Sequence, residues 1–183
     1  MTDTQSLTPR YVAITMFDGM DKAVMCVKDR LAEHGYEPVI FQSSGGPAVA
    51  ELGKAGLLVG AIDFIACEPY DERAEAPHLP RLVVPVFISS SRNDQVGVDA
   101  AQSIARWLNA SRSPAVVMVP TKGLNPQGRL FLRQFMESLS AKVQVITIEA
   151  DVNSSRFANR VTDEFVRMVG GRAPAHREGS SLA

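Results

Sequence analysis

The segment Ala115-Val-Val-Met-Val119 is almost continuously apolar and ends at Pro120. A short apolar run without alternation is typical of a strand buried on both faces, as in a parallel sheet covered by helices. Apolar residues recur at helical spacing before the segment, at Val98, Ala101, Ile104, Ala105 and Leu108, and after it, at Leu132, Phe135, Met136 and Leu139. The segment therefore predicts one strand of a βαβ array, whose right-handed crossovers place helices on the faces of the sheet.

The same alternation extends in both directions along the chain. Strands are predicted at Tyr11–Phe17, Glu37–Phe41, Val59–Ile65, Leu82–Ile88, Ala115–Val119 and Val143–Ile148. Helical stripes are predicted through Met20, Val24, Val27 and Leu31, over Ala48–Ala55, and through Phe157, Val161, Phe165 and Met168. Pro85 must lie at a strand end, at a bulge or on an edge. The pattern predicts a doubly wound, Rossmann-like three-layer α/β domain over residues 11–170, with a mainly parallel sheet of about six strands and disordered segments at 1–10 and 171–183.

Composition excludes several classes of function. With 183 residues the chain is long enough for one domain. Nineteen basic and 20 acidic side chains leave a net charge of −1, which gives no general attraction for nucleic acid or anionic membranes. Cys26 and Cys67 lack metal-site spacing. The sequence has no long apolar run and no leader-like start, so we expect a cytoplasmic protein.

Loops that leave the carboxyl ends of parallel strands meet at one edge of the sheet, where ligands bind near the reversal of strand order. Ser43, Ser44, Gly45 and Gly46 follow the second strand and precede a helix. Free amides at a helix start favour a phosphate or carboxylate, so these residues are candidate ligand contacts. The alternative is a simple turn and N-cap, in which serine accepts from the first-turn amides and glycine accommodates any backbone angle.

Four further candidates follow later strands. Lys122 and Gly123 come after the strand that looks most buried, and the ammonium group is suited to an acidic ligand group, although a solvated loop lysine is the alternative. Arg92 offers a guanidinium fork or a surface ion pair. Asn153 is a candidate contact or a helix cap, and nearby Asp151 is a turn residue or, less readily, a magnesium ligand. We expect all these loops to converge on one anion site, and we predict no protein-held metal.

Several strings read together resemble a known family: Val12-Ala-Ile-Thr-Met-Phe17, His34-Gly-Tyr-Glu-Pro-Val-Ile-Phe41, Gly56-Leu-Leu-Val-Gly-Ala-Ile-Asp63 and Val119-Pro-Thr-Lys-Gly123. They are similar to the second half of the ATP-binding family related to the tomato mosaic virus resistance protein, over about Tyr11 to Val169. The resemblance implies an α/β fold, a homodimer, and nucleotide binding with ATP and magnesium as cofactors. It also implies a possible protein partner resembling the family's missing first half.

The residues leave three functions open. The leading hypothesis is a small-molecule binding domain for a phosphate- or carboxylate-bearing ligand. The second is a non-enzymatic interaction module that pairs with another protein. The third is a hydrolase or transferase that uses Asp18, Glu68 or Asp151 as base, although the sequence lacks the P-loop, dinucleotide-binding and nucleophile-elbow motifs.

Overall fold

The computed structural model describes residues 10–66, 79–86, 94–112 and 114–170. Within these ranges the strands are β1 Tyr11–Met16, β2 Glu37–Gln42, β3 Leu58–Ala66, β4 Arg81–Val86, β5 Ala115–Pro120 and β6 Gln144–Ile148. The α-helices are α1 Asp21–Glu33, α2 Gly46–Lys54, α3 Asp94–Ala110, α4 Pro126–Ser138 and α5 Ser155–Gly170. A single 3₁₀ turn, Ser43–Gly45, joins β2 to α2. The predicted termini 1–9 and 171–183 lie outside the described residues.

The strands form one sheet in the order β2-β1-β3-β4-β5-β6, and every neighbouring pair is parallel. The chain moves outward from β1 to β2, crosses back to β3 and then continues in the opposite direction. The strand order therefore reverses between β1 and β3, which is the position where doubly wound sheets bind ligands. The predicted Rossmann-like three-layer fold is confirmed.

Helices cover both faces of this sheet. On one face α1 and α5 pack together over a core that includes Val12, Ile62, Phe157 and Phe165. The Phe165 ring contacts Tyr36 edge-on at 6.2 Å between centroids. It also lies so close to Gly60 that an added β-carbon there would be 2.8 Å from the ring. The strand residue under α5 must therefore be small.

The opposite face carries α2, α3 and α4, and α4 corrects one predicted core position. Phe131 and Phe135 stack on this face and are buried, whereas Met136 is 42% exposed. Each residue of a helix turns the side-chain direction by about 100°. Met136 therefore falls at the margin of the stripe on which Phe135 is centred, and the prediction that it points inward is wrong.

Pro85 lies within β4, in the interior of the sheet. Its partner on β3 is Ile65, but the pairing of β4 with β5 ends at Val83. The Arg81 N–H donates to the Pro114 carbonyl, so alternate residues of β4 face the β5 side. Pro85 belongs to this alternate set, and because proline has no N–H it cannot donate the next bond of the ladder, so the pairing with β5 ends at Val83. Pro85 is the fifth of the six residues of β4, beside the strand end that was one of the three predicted alternatives.

Candidate functional site

The candidate residues lie at the carboxyl edge of the sheet but in two separate groups. Ser43–Gly46 follow β2, whereas Lys122 and Gly123 follow β5 and Asn153 follows β6. Four strand intervals separate β2 from β5, and at about 4.8 Å per interval this is roughly 19 Å. The expectation that one small anion contacts all of them is therefore corrected: the first group adjoins the switch point, and the second lies at the other end of the edge.

The start of α2 is formed by the first group. Gly45 occupies the N-cap position, so no side chain of that residue accepts a hydrogen bond from the first turn. The segment is thus a 3₁₀ turn followed by an N-cap, as in the turn-and-cap alternative, and the cap residue is glycine and not serine. Ser44 is exposed, and the structure does not describe the Ser43 side chain. The first-turn amides lack a cap side chain and carry the positive end of the helix dipole.

Gly45 also has a packing role. A β-carbon at this position would lie 2.8 Å from the Phe41 β-carbon and 3.2 Å from its ring. Phe41 itself packs against the apolar cluster beneath α2. The absence of a side chain at Gly45 thus lets the turn close over Phe41, and it leaves the helix start accessible.

The second group is tied together by its own contacts. Lys122 Nζ lies 3.2 Å from Glu149 Oε1, and both side chains are more than half exposed. Gly123 has a φ of +77°, and a β-carbon there would collide with the Asp151 carboxylate. Backbone bonds from Thr121 and Lys122 to the Ile148 and Ala150 carbonyls extend the pairing of β5 with β6 into the loop. These contacts bond the loop after β5 to the loop after β6, and this is what we call the closed β5–β6 end.

Ser154, and not Asn153, caps α5. The Ser154 hydroxyl accepts from the Phe157 N–H at 3.2 Å and donates to the Asp151 carbonyl at 2.6 Å. Asp151 Oδ1 accepts from the Asn153 N–H at 2.8 Å, which is an Asx turn. The capping alternative for Asn153 is therefore wrong. Asn153 Oδ1 is buried and has no hydrogen-bond partner among the described residues.

A buried polar network near the switch point was not among the predicted site residues. Arg81 Nη1 lies 2.7 Å from Asp63 Oδ2, and the Thr15 hydroxyl donates to Asp63 Oδ1 at 3.0 Å. Asp63 is 1% exposed and Arg81 4% exposed, and the guanidinium lies 5.6 Å from the Trp107 ring centroid. The signal was present in the sequence, because Asp63 interrupts the apolar strand Val59–Ile65 and Arg81 directly precedes another. Since the carboxylate oxygens are both used internally, the network is a structural link between β1, β3 and β4.

Other candidates are exposed or lie beyond the described part of the chain. Asp18 is exposed in the turn after β1. Arg92, Cys67 and Glu68 lie outside the described residues. Across residues 10–66, 79–86, 94–112 and 114–170, no cluster of three metal-binding side chains occurs, and no helix has the length and apolarity needed to cross a membrane.

Comparison with known proteins gives a distant relationship. No protein-family model matches the chain. The ToMV resistance protein Tm-1(GCR237) of Solanum lycopersicum is 24% identical, over 78% of this chain and 21% of the relative. A UPF0261 protein of Clostridium tetani is 21% identical, over 86% and 53% of the two chains. A ribose import ATP-binding protein, RbsA 3 of Rhizobium etli, is 26% identical, over 74% and 26%. The alignments thus cover about half or less of each of these relatives.

Proposed function

We propose that this domain binds a small molecule through a phosphate or carboxylate group, and that the anion lies against the first turn of α2. The observation that carries the proposal is the glycine at the N-cap of α2, which leaves the first-turn amides without a cap side chain. Amides at a helix start, aided by the helix dipole, are a common anion site. Ser44, Gly45 and Gly46 are the residues we place at the anion, next to Pro47, which has no N–H to donate.

The position of α2 in the sheet supports the same site. Gly45 follows β2, which is the direct neighbour of β1, and β1 borders the switch point. A ligand anchored at Gly45 and Gly46 therefore extends over the end of β1 toward the crevice between β1 and β3. The turn after β1 ends at Met20, the N-cap residue of α1, whose side chain makes no capping hydrogen bond. Neither of these two neighbouring helix starts has a hydrogen bond from the side chain of its N-cap residue.

A nucleotide phosphate is the ligand class that we favour. The relative from Rhizobium etli carries the name of an ATP-binding protein, and its alignment covers 74% of this chain. The first turn of α2 suits a phosphate group chemically. Magnesium generally binds through one or two carboxylates together with substrate phosphates, and Asp18, on the neighbouring loop after β1, is the described carboxylate placed to serve this role. The proposal requires no metal held by the protein alone.

Lys122, Gly123 and Asn153 have a secondary place in this proposal. By strand position they lie roughly 19 Å (after β5) to 24 Å (after β6) from the start of α2, so only a ligand extended along the edge reaches both groups. For such a ligand, Lys122 supplies a positive charge and Asn153 Oδ1 supplies an acceptor. A short ligand leaves them untouched.

Thermal-shift measurements with ATP, ADP, inorganic phosphate and small dicarboxylates, with and without magnesium, test the proposal. A native-state ligand at 100 times its dissociation constant adds about 2.7 kcal/mol of stability. Ser44→Asp places a carboxylate beside the first turn of α2 and should abolish the shift. Ser155→Asp, at the exposed first position of the capped helix α5, is the matched control and should preserve it.

Lys122→Ala distinguishes ligand binding at the start of α2 from ligand binding at the β5–β6 end of the edge. For a short ligand bound at α2, the shift should survive this substitution. A shift that is lost in Lys122→Ala and kept in Ser44→Asp would move the site to the β5–β6 end. The absence of a shift with every compound would contradict the proposal for these ligand classes.

A further inference from the structure

A polar pair interrupts the apolar side of the sheet at the switch point, on the face that carries α2 and α3. One row of register partners crosses four strands and contains Phe41, Thr15, Asp63 and Val83 in that order. Phe41 packs against the apolar cluster beneath α2, and Val83 belongs to the cluster beneath α3. Thr15 and Asp63 lie between these two clusters, on β1 and β3. The polar gap therefore coincides with the two strands between which the strand order reverses.

Thr15 is the member of this pair that a ligand can reach. It is partly exposed, whereas Asp63 is buried. Because β1 ends at Met16, Thr15 is the last residue of that strand on this face. Neighbouring strands lie about 4.8 Å apart, and a β-carbon at Gly45 would be 2.8 Å from that of Phe41. By this path the Thr15 side chain lies no more than about 8 Å from the N-cap of α2.

The hydrogen bonds of the network determine how the Thr15 hydroxyl can act. A threonine hydroxyl has one proton to donate and two lone pairs that accept. The Thr15 proton is donated to Asp63 Oδ1 at 3.0 Å, and Asp63 Oδ2 accepts from Arg81 at 2.7 Å. A carboxylate can only accept, so the Thr15 hydroxyl must be the donor in its bond to Asp63. The Thr15 hydroxyl therefore has only acceptor positions left for a ligand.

We propose that Thr15 accepts a hydrogen bond from a ribose hydroxyl of a nucleotide whose phosphate lies against the first turn of α2. The inference rests on the proposed function and adds a second recognised group of the ligand, a donor close to the anion. An ionised phosphate or carboxylate has no proton to donate, so it suits the start of α2 and not Thr15. Asp63 does not contact the ligand. It is a positioning residue that holds the Thr15 proton away from the ligand.

Binding of ribose-modified ATP analogues to the full chain, measured by calorimetry, tests the inference. The 2′ and 3′ hydroxyls are each replaced in turn by hydrogen, fluorine or an amino group. At one of these positions, we expect the hydroxyl and amino compounds to bind about fivefold more tightly than the fluoro and deoxy compounds, because one hydrogen bond is lost. Fluorine is similar in size to a hydroxyl but cannot donate. The fluoro compound therefore separates loss of the donor from loss of volume.

Substitutions at Thr15 assign this preference to its hydroxyl. Thr15→Val removes the hydroxyl at nearly constant volume, so every analogue should bind with the affinity of the deoxy compound. Thr15→Ser restores the hydroxyl and should restore the preference. Thr121→Val is the matched control, because Thr121 follows β5 at the same edge and its hydroxyl donates to the Ile148 carbonyl. This variant should keep the preference, and circular dichroism verifies that each variant is folded.

Asp63→Asn tests the positioning role. The amide oxygen faces Arg81, which can only donate, so the amide NH₂ faces Thr15 and the hydroxyl accepts from it. The Thr15 proton is then directed to the ligand, and the fluoro compound should bind at least as tightly as the amino compound. A purely structural role of Asp63 would change the affinity of all the compounds by the same factor. An unchanged order of affinities would overturn the positioning role.

The inference and the proposed function fail in different ways. If the wild-type chain binds ATP and its deoxy and fluoro forms equally at both positions, the inference is overturned and the proposed function stands. A preference that persists in Thr15→Val would also overturn the inference alone. If ATP does not bind, or binds equally well to Ser44→Asp, the proposed function is overturned and the inference with it.

Discussion

The two ends of the carboxyl edge use their polar groups in different ways. At the β5–β6 end, Ser154 caps α5, Asn125 caps α4 through a 2.7 Å bond to the Gly128 N–H, and Lys122 pairs with Glu149. At the β2–β1 end, the helices α1 and α2 begin at Met20 and Gly45, without capping side chains. Donors that are already bonded within the chain contribute little to a ligand, whereas free donors can bind one. The uncapped end is therefore the better place to look for an anion.

The largest expected effect on stability comes from the Asp63–Arg81 ion pair, which lies between the two ends of the carboxyl edge. Asp63→Ala leaves the buried Arg81 guanidinium without its carboxylate, which should lower the free energy of unfolding by about 3–5 kcal/mol. Urea denaturation monitored by circular dichroism measures this loss. The paired change Asp63→Leu with Arg81→Met removes both charges and should recover most of the stability. If Asp63→Ala lowered the free energy of unfolding by less than about 1 kcal/mol, the Asp63–Arg81 network would not stabilise the sheet.

Gly123→Ala tests how tightly the β5–β6 end is closed. The substitution forces a side chain into a backbone with φ +77° and against the Asp151 carboxylate, so we expect a loss of about 2–3 kcal/mol. Gly56→Ala is the matched control, because Gly56 has a φ of +71° but open space around it, and it should cost about 1 kcal/mol. Equal losses at the two positions would show that the Asp151 contact adds nothing.

Two serines, one at each end, provide the smallest and most direct comparison. Ser154→Ala removes the α5 cap and should cost about 1 kcal/mol in thermal or urea unfolding. Ser44→Ala, next to the uncapped start of α2, should change stability by less than about 0.5 kcal/mol. If Ser44→Ala proved as costly as Ser154→Ala, the start of α2 would be capped from Ser44 and its amides would not be free.

Sequence periodicity predicted the fold well because it depends on burial. The run Ala115–Val119 forms the buried strand β5, and the stripe through Phe157 and Phe165 forms the buried face of α5, as expected from their spacing. The prediction that Met136 points inward was wrong because a spacing of three or four residues identifies the buried stripe of a helix but not where that stripe ends. For the resemblance to the tomato mosaic virus resistance protein family, the comparison supports only a distant link, at 24% identity to the tomato protein.

The site was harder to predict, because it depends on strand order. Gly45 and Lys122 both follow strands, so sequence alone placed them at the same edge but could not place them roughly 19 Å apart. The prediction of helix caps from sequence has the same limitation. Ser44 and Ser154 both precede helices, and only the backbone positions show that Ser154 is a cap and that Gly45 stands at the cap position of α2.

The packing of α5 on α1 bears on how the chain acquires its structure during synthesis. Arg30 of α1 lies 3.2 Å from Asp163 of α5, and Phe165 packs over Gly60 and Tyr36 from the first third of the chain. Residues synthesised earlier are thus covered by residues synthesised later. Until Ser155–Gly170 has emerged from the ribosome, the part of this face that α5 covers cannot be buried by it, so the contacts of Gly60 and Tyr36 with Phe165 form late in synthesis.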